Sequence, residues 1–253
     1  MAIYVTGDTH GDFSRFYGEP FRRQVREGDF VIITGDFGGY YGGGPGEDAA
    51  VDQLAALPCT TLFVTGNHEN FTRLNTFPRE IWHGGTVIRV RPSVLCLMRG
   101  QLFDLDGYRF FTMGGAGSRN VEKLDPASPL YRLRRSRLER LGRPFWVRGV
   151  DWWEEELPSP AEYETARSTL DRCGWRADFI VTHCAPRSIE DSLPGMEDAR
   201  RLGSYLPTAL SDFLEELSRR ARFRMWFMGH YHVNLTVGEQ YLILYDEIVR
   251  LGE

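Results

Sequence analysis

Five of the chain's six histidines fall in short polar clusters, and each cluster follows an apolar, β-rich run. The clusters are Asp8-Thr9-His10, Gly35-Asp36, Gly66-Asn67-His68-Glu69, Thr182-His183 and Gly229-His230-Tyr231-His232. Imidazole and carboxylate together suit divalent metals of the Mn, Fe, Zn and Ni kind. Asp8 and His10 stand two apart, so one turn can aim both at one ion. Asp36 has two carboxylate oxygens and can bridge two ions, and Asn67 adds a neutral carbonyl oxygen. His183, His230 and His232 supply three imidazoles. Seven ligands divide as Asp8, His10, Asp36 and His232 on one metal, and Asp36, Asn67, His183 and His230 on the other. Two ions about 3.5–4 Å apart lower the pKa of bound water and clamp phosphoryl oxygens during an in-line displacement. His68 is not needed as a ligand. It is placed to protonate a leaving oxygen, which suits imidazole near neutral pH. Asn67 and His68 would also touch substrate.

The runs before the clusters are Ile3-Tyr4-Val5, Phe30-Val31-Ile32-Ile33, Leu62-Phe63-Val64, Phe179-Ile180-Val181 and Met225-Trp226-Phe227-Met228. A strand that ends in a polar turn puts that turn at the carboxyl edge of a sheet, where α/β proteins hold their ligands. Any one cluster alone reads equally well as a turn or a cap; five behind five strands converge on one cleft. The pattern predicts strands at 2–6, 30–34, 61–65 and 224–228, and β structure across 86–113 with a turn at Asp106-Gly107. Residues 13–27 read as helix, 47–57 as a short helix, and 206–221 as a helix with Leu206, Leu210, Phe213, Leu214 and Leu217 at helical spacing. Ser159, Pro160 and Glu162 spell a capping box for a helix over 159–173. The glycine-rich stretch 38–46 is too costly in backbone entropy for regular structure and reads as a loop beside the site. Residues 233–249 read as a β hairpin.

At 253 residues and 42% hydrophobic, the chain has the bulk for one large α/β domain. The best candidate for an embedded cap is 115–158, which is loop-rich and basic. The net charge of −5 argues against a dedicated nucleic-acid binder. Four cysteines without a paired spacing suggest reduced thiols and a cytoplasmic setting. The opening residues run straight into a strand, so no signal peptide is expected, and no apolar run is long enough to span a membrane.

The ordered series D-x-H, G-D, G-N-H-E, T-H-x-x-P and G-H-x-H, from Gly7 to His232, resembles the calcineurin-like metallophosphoesterase superfamily. The resemblance implies a four-layer α/β/β/α sandwich, a dinuclear centre with the ligand division above, and phosphoester hydrolysis by a metal-bridging hydroxide. The family's general-acid histidine corresponds to His68. In the Ser/Thr protein phosphatase branch, arginines that grip phosphate stand where this chain has Tyr40 and Thr65. The stretch Asp151 to Ser159, with Trp152-Trp153, is similar to a segment of bacterial and phage members.

The expectation is therefore a phosphoesterase that uses two divalent ions, manganese first, with Fe, Zn, Ni or Mg as the other candidates. A small phosphodiester or nucleotide substrate fits better than a monoester, because the gripping arginines are missing. A phosphomonoesterase, including a protein phosphatase, is the alternative enzyme; a non-catalytic metal-binding scaffold is the alternative of another class. Arg119 and Arg73 are candidate substitutes for the missing arginines. Asp12 and Glu69 read as loop braces, and His83 as ordinary loop. Seven arginines between Arg132 and Arg148, above Leu130, Leu133, Leu138 and Leu141, read either as a solvated helix or as a cap that offers cations to phosphates. Trp152 and Trp153 read as packing anchors more readily than as a base-stacking platform.

Overall fold

Short runs, the central ones largely apolar, build two sheets. The computed structural model describes residues 1–118, 121–201 and 208–252. The first sheet holds β1 (Ile3–Thr6), β2 (Phe30–Ile33), β3 (Thr60–Phe63), β4 (Arg79–Trp82), β5 (Gly85–Arg91), β6 (Val94–Leu97) and β15 (Ile248–Arg250). Its order is β15-β1-β2-β3-β6-β5-β4. The second holds β7 (Gln101–Leu105), β8 (Tyr108–Met113), β11 (Phe179–Thr182), β12 (Met225–Met228), β13 (Leu235–Val237) and β14 (Tyr241–Ile243), in the order β13-β14-β12-β11-β8-β7. A third sheet pairs only β9 (Glu122–Leu124) and β10 (Phe145–Val147).

Alternation sorts each strand between two cores. Ile3, Val5, Phe30, Ile32 and Leu62 of the first sheet meet Phe110, Phe179, Val181 and Phe227 of the second in one cluster. Their neighbours Tyr4, Val31, Ile33 and Phe63 face a second cluster with Phe21, Val51 and Leu54 of the helices Glu19–Gln24 and Glu47–Ala55. Ile180, Trp226 and Met228 face a third, with Leu170, Leu210, Phe213 and Leu217 of the helices Pro160–Arg172 and Ala209–Arg220. Burial on both faces is why these strands read as continuous apolar runs. β1, β2, β3 and β6 are parallel, as are β8, β11, β12 and β14. The carboxyl ends of β1, β2, β3, β11 and β12 therefore lead straight into the five polar clusters.

Local chemistry sets several boundaries. Asp106 (φ 53°) and Gly107 (φ 80°) turn β7 into β8 with both central residues left-handed, as a two-residue hairpin requires. Ser159 accepts from Glu162 N while Glu162 accepts from Ser159 N, which closes the capping box. Residues 13–27 do not form one helix. A single 3-10 turn, Ser14–Phe16, gives way at extended Gly18 to the helix Glu19–Gln24, where Pro20 has no N–H to continue an earlier turn. The expected hairpin over 233–249 is confined to β13 and β14; β15 crosses to pair antiparallel with β1. In the basic segment, the helix Tyr131–Arg140 buries only Leu138, while Leu130, Leu133 and Leu141 stay exposed. No helix among the described residues is long and apolar enough to cross a membrane.

Candidate metal centre

The loops after the five strands bring six of the seven candidate ligands together, and Asn67 lines the same cleft. The ligand atoms of Asp8, His10, Asp36 and His232 lie within 4.8 Å of one another, and so do those of Asp36, His183 and His230. Asp36 belongs to both groups. His10 Nε2 and His232 Nε2 approach to 3.0 Å. Asp8 Oδ2 lies 3.2 Å from His232 Nε2 and 3.8 Å from His10 Nε2. On the other side, Asp36 Oδ1 is 3.3 Å from His183 Nε2.

The backbone is bent to aim these groups. His10, Asp36, His230 and His232 have φ values of 47°, 44°, 73° and 51°, in the left-handed region that L-residues seldom occupy. Such conformations cost on the order of 1 kcal/mol each and persist where the surroundings enforce them. The enforcement comes from crossed loops. Asp8 accepts His230 N through both carboxylate oxygens, at 2.9 and 3.1 Å. Asp36 Oδ1 accepts His68 N at 2.8 Å. A Cβ on Gly66 would lie 2.5 Å from Asp36 N and closer still to Asp36 Oδ1; one on Gly229 would collide with Asp8 Oδ1. Gly35, Gly66 and Gly229 thus make room for a ligand from another strand.

The electrostatics of the donors favour a cation. His183 Nδ1 must donate to the Thr34 carbonyl at 2.9 Å, which turns Nε2 toward Asp36. Burial disfavours charge on His183, but the carboxylates of Asp36 and Asp8 outweigh it and hold its pKa at about 9. A metal ion would compete with that proton for the same lone pair. Burial, with His183 beside it, drives His230 down to about 3, so that ring is neutral and ready as a ligand. Burial opposes ionisation of Asp36, yet the surrounding histidines keep its carboxyl well below the usual carboxylate range. Two of the candidate ligand atoms are buried without a hydrogen bond among the described residues: Asn67 Oδ1 and His183 Nε2, the latter facing Asp36 Oδ1 at 3.3 Å. A buried carbonyl oxygen without a donor and a buried imidazole nitrogen whose proton a metal ion can replace fit metal ligation, and the mixed N/O donor set fits a first-row divalent ion.

Around this centre lies a cleft of about 880 Å³. His10, Asp36, Asn67, His68, His230 and His232 line it, together with Ser118, Val121, Lys123 and Trp146 of the basic segment. Asp8 and His183 are fully buried beneath. His68 packs edge-on against His10, with ring centroids 5.1 Å apart, and against Tyr41 at 5.0 Å. Burial lowers the His68 pKa and Asp36 pulls it back up. Glu69 braces the loops after β2 and β3 by accepting N–H bonds from Phe37, Gly38 and Gly66. Burial and the nearby Asp36 charge push its carboxyl up to about 8 against those bonds. Asp12 accepts from Ser14 N at the start of the 3-10 turn.

Other candidates lie elsewhere. Arg73 turns away from the cleft, pairs with Asp48 at 3.2 Å and stacks over Tyr40. Its nearest anion lies on a helix 25 residues earlier, which no local pattern reveals. Arg119 lies outside the described residues. His83 sits in an exposed turn against the Asp104 carbonyl. Trp153 is buried and donates to Thr72, as a packing anchor does. None of the seven arginines between 132 and 148 lines the cleft. Arg134, Arg135 and Arg148 are instead in ion pairs with Glu122, Glu139 and Asp125.

Three supporting residues have no ligand signature in the sequence. Arg15 donates to the Asp8 and Tyr245 carbonyls and to Thr6 Oγ1. Tyr41 packs on His68 and donates to the Asp151 carbonyl at 3.1 Å. Tyr231 donates to buried Glu190 and accepts from Ala185 N, which fixes the loop of His230 and His232 against the one after β11. The position of Tyr231 between two ligands is the one sequence cue among them.

Residues 1–234 match the pattern of the calcineurin-like phosphoesterase family, a span that includes every candidate ligand. No curated protein matches the chain.

Proposed function

The chain belongs to the calcineurin-like phosphoesterase family of metal-dependent phosphoester hydrolases, and from that premise we propose that it cleaves a phosphodiester or nucleotide-type substrate at a dinuclear centre. The observation that carries the reading is an Asp36 shared by two ligand groups, beside buried Asn67 Oδ1 and His183 Nε2, neither of which makes a hydrogen bond of ordinary geometry. Two divalent ions, manganese foremost, would supply charge for the phosphoryl oxygens and a nucleophile from water at neutral pH. Asp8, His10, Asp36 and His232 would hold one, and Asp36, Asn67, His183 and His230 the other. His68 stands on the cleft wall with its backbone fixed by Asp36, and it delivers the proton that the leaving oxygen needs. Asn67 and His68 also contact the phosphoryl group.

The preference for a diester rests on charge. A diester carries one negative charge at the scissile phosphorus and a monoester up to two. The wall of the cleft has no arginine among the described residues. Where the protein phosphatase branch has arginines, Tyr40 is packed against Phe77 and Thr65 is buried. The segment 115–158 acts as the cap, since its residues complete the cleft. The four cysteines are free thiols and three are buried, which suits work in the reducing cytoplasm.

The test is hydrolysis of bis-p-nitrophenyl phosphate and p-nitrophenyl phosphate by Mn²⁺-loaded protein, with metal counted per chain. Diester turnover is expected, lost in Asp36→Asn and reduced roughly 10²–10⁴-fold in His68→Ala with metal retained. Monoester preference would put the phosphatase reading first. A metal-free, inert protein would favour the scaffold.

A further inference from the structure

Among the described residues, the only side chain with a fixed positive charge on the cleft wall is Lys123. It is also the only lysine in the chain. Lys123 is the middle residue of β9, in register with Trp146 of β10, and both residues line the cleft. Its ammonium sits 4.5 Å from the centroid of the Trp152 ring and 3.9 Å from Glu156 Oε2. Those separations stabilise a charge without using its N–H groups, and Nζ makes no hydrogen bond among the described residues. Glu156 is committed elsewhere: it is 2% exposed and accepts from Trp153 N at 3.2 Å and Ser118 N at 3.4 Å. An indole face and a buried carboxylate therefore steady the ammonium, and its three donors remain for an anion.

The scissile phosphoryl group belongs to the metal ligands and His68, on loops of the two large sheets. Lys123 belongs to the small sheet, which carries none of the candidate ligands. Trp146, Val121 and Met196 line the same cleft and give it an apolar stretch for a sugar or base. We propose that Lys123 binds a second anionic group of the substrate, a terminal phosphate outside the scissile diester, and so sets a preference for phosphorylated nucleotides. This inference rests on the phosphodiester reading.

Two p-nitrophenyl esters of thymidine 5′-monophosphate, one plain and one carrying a 3′-phosphate, differ only in that group. The parent is expected to favour the 3′-phosphorylated ester through KM. Lys123→Met should reduce that preference about tenfold, the scale of a charge-assisted hydrogen bond, and Lys123→Arg should restore most of it. An identical ratio of kcat/KM values in parent and Lys123→Met overturns the proposal. If the metal-loaded parent cleaves neither ester, the phosphodiester reading fails and a binding measurement decides about Lys123. Acetylation of the single ε-amine, followed by peptide mapping, should slow about tenfold with thymidine 3′,5′-bisphosphate and much less with thymidine 5′-monophosphate. Equal labelling rates with the two ligands would reject Lys123 as an anion site.

Discussion

Gly66→Ala is the smallest change that tests whether crossed loops hold the centre. Gly66 has no left-handed φ, so alanine suits its backbone and only space is at issue. The new methyl would lie 2.5 Å from Asp36 N and nearer still to Asp36 Oδ1. An ordinary contact is about 3.5 Å, so the loops after β2 and β3 must part by about 1 Å. Asp36 cannot simply retreat. It is 1% exposed, its carboxylate accepts His68 N, and His183 Nε2 stands 3.3 Å from Oδ1. Overpacking of this kind costs about 1–3 kcal/mol of stability. A displacement near 1 Å at reacting groups costs on the order of 10²-fold in rate. Because Asp36 serves both ligand groups, metal content should fall too. The assay is Mn²⁺-dependent diester turnover, with metal stoichiometry and a thermal melt on the same preparation. Gly44→Ala is the control, since a Cβ there meets nothing within 4 Å. A folded Gly66→Ala protein with parental turnover and full metal content would refute the interlocked-loop argument.

Other consequences can be checked in parallel. Arg15→Met keeps the stem and removes the guanidinium from the Asp8 and Tyr245 carbonyls, which should cost about 1–3 kcal/mol in urea unfolding. Tyr41→Phe keeps the ring on His68 but loses the bond to Asp151 O; hydrogen exchange should accelerate in 38–46 and 147–152 together, whereas acceleration in one segment alone would deny the tether. Burial raises the Glu156 pKa, against Ser118 and Lys123, so the folded state holds that proton more tightly than the unfolded one. Its contribution is then fully present below the ordinary value of 4.5 and is lost as pH rises through the folded value. Urea midpoints should show the parent losing stability relative to Glu156→Gln between acid and neutral pH; parallel profiles would contradict this.

The residues that were legible in the sequence act locally. The Ser159 cap and the Asp106-Gly107 turn are fixed by chemistry within a few positions, and strand runs such as Phe30–Ile33 carry their own burial pattern. The candidate ligand clusters are visible because each follows its strand directly. What escaped depends on where distant chain returns. Arg73 is claimed by Asp48 of another helix, and none of seven arginines lines the cleft while one lysine does. Residues 233–249 alternate well enough for a hairpin, but nothing in them says that β15 leaves for the other sheet. That choice is made by the edge of β1, where Tyr4 pairs with Arg250 from the far end of the chain.

The pairing of β15 with β1 also orders events during biosynthesis. Asp8 is among the first residues made, yet its carboxylate waits for His230 N, 222 positions later. Its carbonyl waits for Arg15 to be steadied by Tyr245. Contacts of such sequence separation form late and slowly. A nascent chain would therefore expose Asp8, His10, Asp36 and Asn67 as a half-built set, without the imidazoles that complete either group. Any ion captured then would sit in a loose carboxylate site and exchange freely. The candidate ligand set is complete only once His232 has been made, so firm metal loading is expected to wait for nearly the whole chain.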